Sequence, residues 1–60
     1  MRFRIEWIPY GETAWEDSFQ YVDNINDARK IRDAWKKGVF TYRPPVDVRI
    51  FDKVENKVVD

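Results

Sequence analysis

NINDARKIRDAWKKG, Asn24 to Gly38, is the one stretch of this sequence with a clear helical period. Its apolar residues fall at Ile25, Ala28, Ile31, Ala34 and Trp35, a spacing that draws one face at a period near 3.6. Asn24 stands at the N-cap position, where a side-chain oxygen accepts from the free amides of the first turn, and Asp27 is placed to reach back to it. Asp27 also puts a negative charge at the dipole's positive end, and Lys36 and Lys37 put cations at the other. Gly38 follows as the residue best suited to the left-handed stop. Asp33 lies four residues from both Arg29 and Lys37, a spacing that favours ion pairs. A single helix is therefore expected here.

Outward from this helix the chain alternates. Toward the N-terminus, Arg2 to Ile8 places Phe3, Ile5 and Trp7 on one side and Arg2, Arg4 and Glu6 on the other, the pattern of a half-buried strand that Pro9 closes. Asp17 to Val22 places Phe19 and Tyr21 on one side and Ser18 and Gln20 on the other, and reads as a second strand antiparallel to the first. Trp15 either begins that strand or lies on a loop capping the core. Toward the C-terminus, Val39 to Pro45 is expected to be a loop, because Pro44-Pro45 is incompatible with a central strand. Val46, Val48 and Ile50 alternate with Asp47, Arg49 and Phe51 in a third strand, and Glu55-Asn56 marks a turn into a short fourth.

The predicted architecture is one α+β domain over residues 1–60. A single-layer, mainly antiparallel sheet of about three to four strands packs on one α-helix in the order β-β-α-β-(β). Its expected core joins Phe3/Ile5/Trp7, Phe19/Tyr21 and Val46/Val48/Ile50 to Ala28, Ile31 and Trp35. If the strands flanking the helix run parallel, the helix is a crossover between them.

Composition narrows the function classes. The 60 residues contain no Cys and no His. That removes disulfide stapling, the usual zinc ligands, the thiol nucleophile and the usual base near neutral pH. Ser18 is the only serine and has no base nearby in sequence. No phosphate-binding loop, dinucleotide fingerprint or metal motif is present. No catalytic residue, metal ligand or cofactor is therefore expected, and the chain is not expected to be an enzyme. It lacks an apolar run long enough for a membrane span and a signal-peptide core, so a cytoplasmic location without a membrane partner is expected.

Two surpluses point to binding. Ten aromatics are many for a domain of this size, and those that do not fit a small core must be exposed. Charge is divided although the formal net charge is zero. From Ile5 to Ala28 the charges are Glu6, Glu12, Glu16, Asp17, Asp23 and Asp27, all negative. From Arg29 to Arg43 six cations face the single acid Asp33. Local fields of this kind steer partners, whereas net charge mainly sets solubility.

The function expected from these features is a small protein-interaction module, an inhibitor or accessory protein. Its candidate partner-binding residues are Tyr10, Trp15, Phe40, Tyr42 and Arg43. Its acidic surface is Glu12, Glu16 and Asp17. The alternative is a nucleic-acid-binding domain. It would track phosphates with Arg29, Lys30, Arg32, Lys36 and Lys37 on the helix and stack bases on the loop aromatics. Zero net charge and the acidic first half weigh against it. A third reading has the acidic half imitating a phosphate backbone, for which its six acids are sparse. An exposed edge strand beside a small core also makes a homodimer an expected assembly. The juncture VDNINDARKI is similar to those of many short bacterial and phage reading frames, and this implies no function.

Overall fold

A computed structural model describes residues 1–60. The chain forms β1 (Phe3–Ile8), β2 (Glu16–Val22), α1 (Ile25–Lys36), β3 (Asp47–Asp52) and β4 (Lys57–Val58), the expected element order. One four-stranded sheet has the order β2-β1-β3-β4 with every neighbouring pair antiparallel. Both β2 and β3 oppose β1, so they run parallel to each other on its two sides, and α1 crosses over between them. No helix is long and apolar enough to cross a membrane.

The helix is built as its sequence dictates. The Asn24 side chain accepts from the amides of Asn26 (2.7 Å) and Asp27 (3.4 Å), which satisfies two of the free donors of the first turn. At the other end Gly38 takes φ 79°. Its amide donates to the Trp35 carbonyl (3.0 Å) and the Val39 amide to the Ala34 carbonyl (3.2 Å), the paired bonds of a Schellman stop. The expected pairing of Asp33 with Arg29 and Lys37 does not form. Asp33 instead accepts from Arg32 (3.1 Å), and Arg29 turns to Asp60 (3.0 Å).

The core is the layer between α1 and the inner face of β1 and β3. Phe3, Ile5, Val48 and Ile50 meet Ala28 and Trp35 there, with Trp7, Val22, Ile25 and Ile31 packed around them. The β1–β3 ladder is regular over six residue pairs, from Phe3↔Asp52 to Ile8↔Asp47. It ends on an ion pair between the exposed Arg2 and the buried Asp52. Asp52, 2% exposed, accepts from both Nε (3.1 Å) and Nη2 (2.8 Å) of Arg2 and caps the following turn by accepting from the Val54 and Glu55 amides. The Arg2 guanidinium holds the Asp52 carboxyl down at about 2, below its ordinary 3.8.

Two expectations about this core fail. Phe19 and Tyr21 were expected to share a core-facing side of β2, but Phe19 is 80% exposed and Tyr21 lies opposite Arg4 on the helix-free face. The cause is the register: Phe3 pairs with Val22 and Arg4 with Tyr21, so Val22 faces the helix and Tyr21 faces away from it, and a bulge follows. Arg4 pairs with Tyr21 and Glu6 with Asp17, so Ser18, Phe19 and Gln20 stand against Ile5 alone, and Phe19 takes φ 63°. Asp17 and Tyr21 stay on one face across the bulge, while the Phe19 ring between them turns to solvent. Val22, not Phe19, supplies the β2 contribution to the core. Val46 also lies outside the core. It precedes β3 and is exposed, and its amide ties the incoming loop to the Ile8 carbonyl (2.8 Å).

Both sheet edges are blunted. The outer strand β2 is broken by its bulge, and β4 has two residues. Such edges are poor templates for strand pairing with another chain.

Candidate functional site

The antiparallel order brings the end of β1, the start of β2, the end of α1 and the start of β3 to one end of the sheet. The loops there carry most of the residues expected to bind a partner. The first is the turn after Ile8. Pro9 accepts from the Glu12 amide (2.9 Å), and Gly11 supplies the positive φ (82°) that such a turn needs at its third position. This turn presents Tyr10.

The second is the 39–46 segment, which leaves α1 at Gly38 and is held at several points. A Cβ built on Gly38 would lie 3.4 Å from Pro44, so the loop folds closely over the helix stop. Thr41 Oγ1 donates to the Arg43 carbonyl (2.6 Å), and Val46 is bonded to Ile8. Phe40 packs on Trp35 (5.3 Å between ring centroids), which in turn packs on Trp7 (4.8 Å). The Arg43 guanidinium lies 4.8 Å over the Tyr10 ring and joins the two loops. Tyr42, 98% exposed, stands clear of all of them. Tyr10, Phe40, Tyr42 and Arg43 are therefore all exposed on the two loops at this end of the sheet, as are Val39 and Val46.

Trp15 does not join them. It is half-buried beside the start of β2, with the Arg49 guanidinium 4.0 Å over its ring. It belongs to a second assembly on the helix-free face of the sheet that sequence reasoning missed. There Glu6 is buried and holds Arg49 with Oε1 (2.7 Å) and Arg4 with Oε2 (2.9 Å). Arg4 lies over Phe51 and Lys53 over Tyr21. Alternation already set Arg4, Glu6 and Arg49 away from the core. Only the register, with Glu6 opposite Arg49 and Arg4 opposite Phe51, reveals that they interlock.

The basic helix surface is smaller than its sequence implies. Arg29 and Arg32 both bind Asp60, and Arg32 also binds Asp33. These two guanidinium groups hold the Asp60 carboxyl below its ordinary value, with the Arg29 hydrogen bond foremost. Lys30, Lys36 and Lys37 remain without a carboxylate partner.

The acidic set also divides. Glu12 and Glu16 are exposed and unpaired. Asp17 is engaged in the bulge, accepting from the Phe19 amide (2.7 Å) and the Tyr21 hydroxyl (2.7 Å). That hydrogen bond to a carboxylate raises the Tyr21 phenol above its ordinary value.

The surface encloses no pocket, and no three His, Cys, Asp or Glu side chains converge. The Ser18 hydroxyl accepts from the Gln20 amide (3.1 Å) and is part of the backbone structure. What the arrangement offers is aromatic area and charge on an open surface. No protein-family model, no curated protein and no solved structure matches the chain.

Proposed function

We propose that this domain is a non-enzymatic binding module that docks another protein through the Tyr10, Phe40, Tyr42 and Arg43 surface, as an inhibitor or accessory protein. The observation that carries it is Tyr42. The ring is almost fully exposed at the tip of a loop fixed by the Schellman stop, the Thr41–Arg43 bond and the Val46–Ile8 bond. Rigid, exposed aromatics beside an Arg are the side chains that most often dominate interface energies. A loop already ordered loses less entropy on binding. The lack of Cys fits a cytosolic setting.

The test is affinity capture from cells expressing the tagged domain, comparing the native chain with Tyr42→Ala/Arg43→Ala. A protein retained by the native domain and lost by the double variant, with the thermal midpoint unchanged, supports the proposal. Identical captured sets overturn it. A nucleic-acid reading draws on Lys36, Lys37 and Arg43 near the same aromatics, but Arg29 and Arg32 are already occupied by Asp60. It requires binding of mixed-sequence DNA or RNA that weakens steeply with salt in a tryptophan-fluorescence titration. No binding at low salt removes it.

A further inference from the structure

The feature the end-of-sheet surface does not use is Phe19. A non-glycine residue at φ 63° is strained, and a bulky one is rare there. The strain is held by the chain's own neighbours. Asp17 accepts from the Phe19 amide and Ser18 from the Gln20 amide, so Asp17 to Gln20 form a compact bulge with the Phe19 ring 80% exposed. Among the other aromatics of the strands, Phe3 is buried in the core and Trp7 is packed against it. At this position a Gly or Asn would adopt the backbone without strain. A large ring in an unfavourable backbone state, turned to solvent, is a combination that folding stability does not account for.

We infer that Phe19 is the anchor of a second docking site on the β2 edge, and that its partner is a different protein with an apolar pocket rimmed by basic residues. The charge along β2 sets the rim. Glu16 precedes Phe19 in the strand, exposed and unpaired, Asp17 adjoins it, and Asp23 follows the strand. No basic residue lies anywhere from Ile5 to Ala28. Of the nearby cations, Arg4 is paired with Glu6 and Arg2 with Asp52, and Lys53 lies over the Tyr21 ring on the helix-free face. A basic rim opposite these acids gives complementarity and speeds encounter.

The same observations exclude other occupants. A second copy of this chain has no pocket to receive the ring. An anionic bilayer is repelled by the acids. Strand addition is blocked because the bulge leaves no regular row of edge donors and acceptors. The site shares no residue with the Tyr42 surface, so either can fail alone.

The experiment uses the full chain as immobilised bait for a lysate of the source cells. The native domain runs beside Phe19→Gly, Phe19→Tyr and Tyr42→Ala/Arg43→Ala. Phe19→Asn, also suited to a left-handed backbone, stands in if the glycine variant loosens β2. Each retained protein is identified, purified and titrated against the same variants. The expected result is a basic protein whose affinity falls at least tenfold with Phe19→Gly, survives Phe19→Tyr, and weakens with salt and with Glu16→Lys. Phe19→Gly itself melts no lower than the native chain. A partner lost only with Tyr42→Ala/Arg43→Ala, one whose affinity ignores Phe19, an acidic partner, or no retained protein overturns the inference. The first of these leaves the Tyr42 proposal standing.

Discussion

β1 has two neighbours, and they are built differently. Against β3 it forms six consecutive pairs, with Ile5 on Ile50 at the centre and the Arg2–Asp52 pair closing the end. Against β2 it forms four pairs around a bulge, held by side chains accepting from the backbone rather than by a continuous ladder. The regular side is where the helix packs and where the fully buried residues sit. The irregular side carries an exposed aromatic and a strained backbone. One strand thus separates the part of the sheet that supplies stability from the part that departs from what stability alone would select.

The comparison breaks most readily on the β3 side. Ile50→Ala leaves a void at a fully buried position and costs about 2–5 kcal/mol. That is comparable to the whole stability of a domain this small, roughly 0.05–0.15 kcal/mol per residue. Urea denaturation is expected to show Ile50→Ala largely unfolded at 25 °C.

Asp52 comes next and has a pH signature. Its carboxyl is depressed in the folded state, so it contributes stability that is fully present above the ordinary value of 3.8 and is lost as pH falls through about 2. The urea midpoint of the native chain is expected to fall between roughly pH 4 and pH 2 as this group binds its proton. Asp52→Asn should start lower at neutral pH and lose much of that slope. A parallel decline in both proteins would refute the role assigned to the Arg2–Asp52 pair.

On the β2 side the signs and sizes differ. Phe19→Gly removes a left-handed penalty of about 1–2 kcal/mol and adds backbone entropy worth about 0.5–1 kcal/mol to the unfolded chain. A net gain of about 0.5–1 kcal/mol follows, readable as a higher thermal midpoint. Phe19→Ala, which keeps the Cβ, gains nothing. Ser18→Ala removes one acceptor in a part-exposed setting and costs about 0.5 kcal/mol, the lower end for a hydrogen bond. If Ser18→Ala destabilises as much as Ile50→Ala, the two sides of β1 are not distinct in the way described.

What could be read from the sequence follows the same division. The helix was legible from Asn24 to Gly38 because cap, face and stop are local signals, each decided within a few residues. β1 and β3 were legible because regular alternation reports a regular ladder. β2 was misread because alternation groups residues on a face without saying which face meets the helix; the register with β1 turns Val22 inward and Tyr21 outward. The bulge had its own signal in Asp17-Ser18, two residues whose side chains commonly accept from amides two positions on. The helix's basic surface was overcounted because Asp60, its partner, lies about thirty residues away in sequence. Trp15 and Phe40 could not be placed in advance for a related reason. Their neighbours Arg49 and Trp35 are set by strand register and loop path, which local pattern does not encode.

The position of β1 in the sheet has a consequence for the order of folding. It is the first strand in the chain and a central one in the sheet, yet its regular partner β3 follows only after β2, the helix and the 39–46 loop. Contacts this far apart must overcome the entropy of closing most of the chain into a loop, and they form late. During synthesis the bulged β1–β2 hairpin and the capped helix therefore emerge while Ile5 has nothing opposite it. The nascent chain must hold its most buried surface open until Ile50 arrives, and the step from this partly formed state to the native one is expected to be abrupt.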